Sequence, residues 1–155
     1  MSNTLGKPPV VRAEMLIRRP VQEVFRAFVD PEVTTKFWFT KGSGKLESGA
    51  KVRWDWEMYG VGADIDVLAV EQNSRIVIDW GTRVEWTFVA RGENETFVTI
   101  VNDGFEGTAD ELLEQAMDAT QGFTFVLSGL KAYLEHGIKL NLVADKSPDA
   151  NIINE

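Results

Sequence analysis

The sequence contains no cysteine. Disulfide frameworks, Cys-ligated zinc, iron–sulfur clusters and thiolate catalysis are thereby excluded, and the composition fits a reducing cytosol. It contains one histidine, His136. A transition-metal site would need unusual carboxylate ligation, so no metal is expected. Ser128 stands eight residues before His136, about 12 Å along a helix axis and beyond hydrogen-bond reach. No Ser–His–Asp constellation is indicated, and no catalytic residue is assigned. There is no run of about 18 apolar residues, so no membrane insertion is expected. Residues 1–9 are polar and lack the apolar segment of a secretory signal. Basic residues are outnumbered: 16 Lys and Arg stand against 24 Asp and Glu, for a net charge of −8. Nucleic acid and anionic membranes are therefore poor partners. A cytoplasmic protein is expected.

What is present suffices for one core. The 155 residues are 44% hydrophobic and include five tryptophans and nine phenylalanines. That fits one domain spanning 1–155, with a core of about residues 10–140 and loose polar ends at 1–8 and 145–155.

Residues 10–18 read as a strand. Pro20 suits a helix start, and Val21, Val24, Phe25 and Phe28 recur at helical spacing, so residues 20–29 form a short helix. Asp30-Pro31 stops it, and a second short helix ends near residues 37–39. Strands follow near 44–47, 51–58, 61–72, 75–81, 83–91 and 96–104. Thr108 and Glu111 form a capping box, opening a long helix that runs to His136, with Gly137 as its left-handed cap. At 1.5 Å per residue this helix reaches about 40 Å and must cross the whole sheet. The class is α+β: a strongly curved antiparallel sheet wrapped around a long C-terminal helix, with two short helices after the first strand.

Register follows from the turns. A two-residue loop at Tyr59-Gly60 sets Trp56 opposite Ala63, Trp54 opposite Ile65 and Val52 opposite Val67. On the other face it pairs Asp55 with Asp64 and Arg53 with Asp66. A second such loop at Asn73-Ser74 places Ile78 by Ala69 and Trp80 by Val67. A three-residue loop at residues 81–83 puts Trp80 by Val84 and Ile78 by Trp86. A five-residue loop at residues 91–95 sets Phe88 by Val98 and Trp86 by Ile100. Four of the five tryptophans then share one inner face, which also carries Val52, Met58, Ile65, Ile76, Phe88 and Ile100. The long helix answers with Leu112, Ala116, Ala119, Phe123, Val126, Leu127, Leu130 and Leu134.

Such a face either packs solid or encloses an apolar cavity. In the second case its indoles and phenyl rings suit a flat apolar molecule. Trp54, Trp56, Ile65, Ile78, Trp80, Trp86, Phe88, Ile100, Phe123, Leu127 and Trp38 are the candidate apolar contacts. Asn102 is the one polar residue aimed inward away from the ends, and its amide needs a partner: a ligand, a water or a structural group. Three aromatics in a row at residues 37–39 cannot all face the core of a short helix. At least one is expected near the surface or at a cavity rim, as a gate or an interaction patch.

Other signals are weaker. Asp55, Glu57, Asp64 and Asp66 cluster on the outer face without calcium-loop spacing and read as a solvated face balanced by Arg53. GSGK at residues 42–45 lacks the remaining phosphate-loop residues and reads as a turn. An enzyme would need carboxylates such as Glu71, Asp103 or Glu106 at the cavity mouth, and nothing specifies a reaction.

The order of these pieces resembles a known group. PVQEVF at residues 20–25, FWFT at 37–40, Trp86-Thr-Phe88, Gly104-Phe105 and GLKAYLE at 129–135 are similar to the SRPBCC superfamily, whose START and pollen-allergen members share the helix-grip fold. Within it the chain resembles the heat-shock-protein-90 ATPase activator homologues of the C-terminal-domain type, over about residues 10–140. Two departures are conservative: Lys36-Phe-Trp-Phe39 stands for a more tryptophan-rich segment, and Phe123 or Phe125 stands where the last helix often has Trp. The resemblance implies a helix-grip fold and binding of an apolar small molecule as carrier, sensor or sink. It also implies a protein-interaction alternative with a chaperone or other partner in a stress response, and no cofactor. Some branches of the superfamily are enzymes. A homodimer is the commonest assembly for such a chain.

Overall fold

The computed structural model describes residues 7–150. Strand β1 (Val11–Ile17) leads into α1 (Val21–Val29) and α2 (Pro31–Thr34). Then come β2 (Lys41–Gly42), β3 (Lys51–Trp56), a single 3-10 turn (Glu57–Tyr59), β4 (Val61–Glu71), β5 (Arg75–Asp79), β6 (Arg83–Ala90) and β7 (Thr96–Asp103). The long helix α3 (Ala109–His136) follows, with α4 (Leu142–Asp145) and a last 3-10 turn (Pro148–Ala150) behind it. The seven strands form one antiparallel sheet in the order β1-β7-β6-β5-β4-β3-β2, a meander closed by the first strand pairing with the last.

The helix ends follow the sequence. Asp30 closes α1 through its N–H to the Arg26 carbonyl and caps α2, its carboxylate accepting from the Glu32 N–H at 3.0 Å. Thr108 and Glu111 make the reciprocal capping box of α3. Gly137 ends α3 at φ 67°, the left-handed conformation glycine adopts without strain.

The sheet's parity holds while its register slips. The loop after β3 is longer than two residues, because the 3-10 turn and left-handed Gly60 intervene. Val52 therefore faces Ile65, Trp54 faces Ala63 and Trp56 faces Val61, each two residues from expectation. On the outer side Asp55 meets Gly62, Arg53 meets Asp64 and Lys51 meets Asp66. Charges of opposite sign oppose there, rather than two aspartates.

Between β4 and β5 the pairs at the turn are Glu71 with Arg75 and Val70 with Ile76. A bulge at Leu68 then restores phase, so Val67 meets Ile78. Val70, not Ala69, packs against the core. Strand β5 ends at Asp79, which puts Trp80 in the following turn and pairs Ile78 with Val84 and Ile76 with Trp86. Phe88 with Val98 and Trp86 with Ile100 stand as expected. An even shift leaves side chains on their faces, which is why the inner set survives except at Ala69, where the odd offset ahead of the bulge turns Val70 inward instead. Residues 44–47 are not a strand; the short pairing with β3 falls at Lys41–Gly42 instead.

The main core fills the space between sheet and helices, and a smaller cluster of Val11, Phe105 and Leu112 lies beside the first turn of α3. Ile76, Ile78, Val84, Val98, Ile100 and Leu130 are all 0% exposed. The C-terminal half of α3 is fixed to the end of β1: Lys131 Nζ donates to the Leu16 carbonyl at 2.8 Å and the Arg18 N–H donates to Glu135 Oε2 at 2.7 Å. Burial pushes the Glu135 carboxyl up, but the Arg18 N–H and Lys131 outweigh it and hold the group below the usual range. Gly129 permits close approach at this end, since a Cβ there would stand 3.3 Å from both Cβ and O of Phe37.

Of the ends read as loose, 1–8 and 145–155, residues 1–6 and 151–155 lie outside the described residues. Just ahead of the C-terminal end, Leu142–Asp145 is helical and Val143 packs against the core.

Candidate functional site

The segment after α2 continues as turns, with Trp38 N–H donating to the Thr34 carbonyl at 3.0 Å. This irregular path splays three consecutive aromatics in three directions, and all three are buried. Of the two places expected for a member of residues 37–39, the surface is corrected, because a turn held between sheet and helix, unlike a helix, has no solvent face to spare, while the cavity border is met by Trp38. Phe37 meets Phe28 edge-on at 5.5 Å. Phe39 stacks on Trp54 at 4.6 Å and 16°. Trp38 enters the indole cluster and lies 5.0 Å from Trp54, 6.0 Å from Trp80 and from Trp86, and 6.3 Å from Trp56. All five tryptophans thus belong to one cluster.

Beside this cluster lies a cavity of about 570 Å³. Its walls come from four places. Trp38, Trp56 and Trp80 give an indole wall. Ala119, Gly122, Phe123 and Val126 of α3 face it, with Phe123 stacked against Trp80 at 6.1 Å and 27°. Tyr59 and Val143 close another side, where the Tyr59 hydroxyl donates to the carbonyls of Val143 and Ala144. Burial first, and the Asp145 carboxylate second, push the Tyr59 phenol up, so the donor form is favoured. Thr82 and Asn102 supply the polar corner.

The space exists because α3 presents small side chains along its N-terminal stretch. A Cβ at Gly122 would meet nothing within 4 Å. Further along, Leu127 and Leu130 fill the same stripe and are buried at 1% and 0%. One end of the helix therefore borders a cavity and the other a packed core.

Of the residues singled out in the sequence, Trp38, Trp56, Trp80, Asn102 and Phe123 line the cavity. Trp54, Ile65, Ile78, Trp86, Phe88, Ile100 and Leu127 are buried in the core behind it. Asn102 is 2% exposed, and its amide nitrogen donates to Thr82 Oγ1 and the Arg83 carbonyl, each at 2.9 Å. Its first partners are therefore structural. Sequence reading missed Tyr59, Thr82, Gly122 and Val143. The small-residue run Ala116, Ala119, Gly122 was the available signal for Gly122. The tail had none.

Glu71, Asp103 and Glu106 do not line the cavity; Glu71 pairs with Arg75 at 2.8 Å. Asp118 and Lys146 are the charged lining residues, and both are exposed. On the outer face Arg53 pairs with Asp55 and with Asp64, each at 3.2 Å, and Lys51 with Asp66 at 2.6 Å. Among the described residues no cluster of three metal-ligating side chains occurs, and no helix is long and apolar enough to cross a membrane.

Comparison with known proteins places this architecture. The chain is similar to protein SSP2350 from Staphylococcus saprophyticus, with 31% identity, a TM-score of 0.76, and 85% of this chain and 96% of that one covered. It is similar to DynU16, from the dynemicin biosynthetic locus, at 26% identity and a TM-score of 0.72, covering 84% of this chain and 48% of that one. This chain thus spans about half the length of DynU16. The Aha1 protein of Colwellia psychrerythraea, solved as a dimer, shares the fold at 21% identity and a TM-score of 0.68, with 83% and 98% covered. No functionally curated protein matches the chain. Residues 18–135 match the family described as Activator of Hsp90 ATPase homolog 1-like protein, and with its curled sheet gripping α3 the chain belongs to that family, within the SRPBCC helix-grip superfamily.

Proposed function

We propose that the protein binds a flat apolar small molecule in the cavity between sheet and long helix, as a carrier, sensor or sink. One observation carries this reading. A cavity of about 570 Å³ is bordered by three indoles and the Phe123 ring, within the roughly 300–1,000 Å³ usual for small-molecule sites. Aromatic faces favour offset and edge contacts with flat rings. Titrating tryptophan fluorescence with a panel of planar aromatics and lipids tests the reading. Saturable quenching by a planar compound is expected. Absence of saturation across the whole panel refutes it. In this reading the chain acts as one cytoplasmic domain.

A second reading, a protein-interaction module acting on a chaperone ATPase, is favoured by the family match over residues 18–135. It cannot use residues 37–39, which are buried. Leu113 and Met117, 49% and 67% exposed one turn apart on α3, form an exposed apolar pair that a partner or a second copy could cover. Affinity capture with Met117→Glu as control tests it: an unchanged partner set in the variant removes that face from consideration.

A further inference from the structure

The polar corner of the cavity has a hydrogen-bonding pattern of its own. A threonine hydroxyl holds two acceptor lone pairs and one proton. Thr82 Oγ1 accepts from Trp80 Nε1 at 3.1 Å and from Asn102 Nδ2 at 2.9 Å. Both lone pairs are thereby engaged, and the hydroxyl proton is what Thr82 has left to offer. Asn102 is oriented by the same network. Its Nδ2 also donates to the Arg83 carbonyl at 2.9 Å, which fixes nitrogen toward the backbone and Oδ1 away from it. No donor among the described residues reaches Asn102 Oδ1. That oxygen is nevertheless not sealed off, since Trp86 Nε1 is the one enclosed side-chain polar atom without a partner among those residues. Asn102 is 2% exposed and lines the cavity, so the opening its oxygen meets is the cavity.

We infer that Thr82 Oγ1–H and Asn102 Oδ1 form an adjacent donor–acceptor pair that selects, among flat ligands, those carrying a neutral group that accepts and donates at once, such as a carboxamide, a lactam or a phenol. This rests on the cavity reading above and sharpens it. Trp80 links the two parts of the site. Its indole N–H is bound to Thr82 while its ring stacks near Phe123. A planar body against those rings would present its edge to the polar pair. A carboxylate is disfavoured because it meets the Asn102 oxygen with no proton to give, and an ammonium because it cannot accept from Thr82. The charged lining residues, Asp118 and Lys146, are solvent-exposed and do not replace this selection.

Three probes sharing one ring test the inference: 2-naphthamide accepts and donates, 2-acetylnaphthalene only accepts, and 2-ethylnaphthalene does neither. Calorimetric titration of the wild-type protein is expected to rank them in that order, with about tenfold or more between first and last. Thr82→Val is expected to bring 2-acetylnaphthalene to within about twofold of 2-ethylnaphthalene, while 2-naphthamide, which still donates to Asn102 Oδ1, keeps only part of its advantage. Thr82→Ser, which keeps the hydroxyl, retains the ranking and serves if the valine variant fails to fold. Equal wild-type affinity for all three probes overturns the polar pair and leaves the cavity reading standing. Saturable binding by none of them overturns both.

Discussion

Gly122 is where the cavity can be tested by filling it. It stands midway along the 28-residue α3 and lines the cavity, and a Cβ built on it meets nothing within 4 Å. Glycine in a helix interior costs about 0.8–1.0 kcal/mol relative to alanine. With no compensating clash, Gly122→Ala should recover about 1 kcal/mol. For a domain of this size that is about 2–4 °C in Tm. Gly129 is the control in the same helix. The same propensity gain is available there, but the new Cβ meets Phe37 at 3.3 Å twice, so Gly129→Ala should gain less. Gly122→Phe decides between a cavity and a filled core. In a cavity the ring buries apolar surface, stability is at least that of the alanine variant, and binding of a planar ligand falls by tenfold or more. In a filled core the same ring overpacks, at a cost of about 1–3 kcal/mol. Calorimetric melts with parallel fluorescence titrations read both quantities. A Gly122→Phe protein that melts below wild type, or that binds planar ligands undiminished, refutes the reasoning.

Two further outcomes follow from individual groups. Because Glu135 titrates below its ordinary value in the folded protein, its contribution is present above about pH 4.3 and fades as pH falls through the lower folded value. Glu135→Gln should therefore cost stability at pH 7, on the order of 1–2 kcal/mol, with the difference from wild type shrinking in acid; a pH-independent difference in urea melts contradicts this. Tyr59→Phe removes the hydroxyl that holds the tail at Val143 and Ala144. Hydrogen exchange at residues 142–146 should rise roughly fivefold, the equivalent of one neutral hydrogen bond, and unchanged exchange removes Tyr59 as the latch. The raised phenol sets the direction in base: the latch persists through pH 10 and is lost above it.

The fold was legible because its signals are local and redundant. Alternation in Val52, Trp54 and Met58, and in Ile76, Ile78, Val84 and Trp86, assigns the inner face, since the β3–β4 and β5–β6 pairings move by two residues and the one-residue offset at the β4–β5 turn is cancelled by the bulge at Leu68. The loop lengths themselves were not legible. Whether residues 57–60 form a tight turn or a 3-10 turn with a left-handed glycine depends on how Met58 and Tyr59 pack, and Met58 is 8% exposed. The bulge at Leu68 is equally non-local, arising where two hairpins of different loop length share β4.

The site was half legible. Trp38, Trp56, Trp80, Asn102 and Phe123 could be placed because they lie on the inner face or in the aromatic segment beside it. Which inner residues border space and which are packed over depends on volume along α3. Of the small residues on α3, Ala119 and Gly122 carried that information, while Ala116 packs beside Val11, Phe105 and Leu112. The role of the tail did not show, because α4 is four residues long and exposes or half-exposes every side chain.

The most direct test of an indole-walled binding cavity is an NMR titration of the five tryptophan side-chain N–H signals with 2-naphthamide. The account predicts saturable shifts concentrated on Trp38, Trp56 and Trp80, with Trp54 and Trp86 moving least. Signals that stay fixed throughout, or shifts confined to Trp54 and Trp86, contradict it.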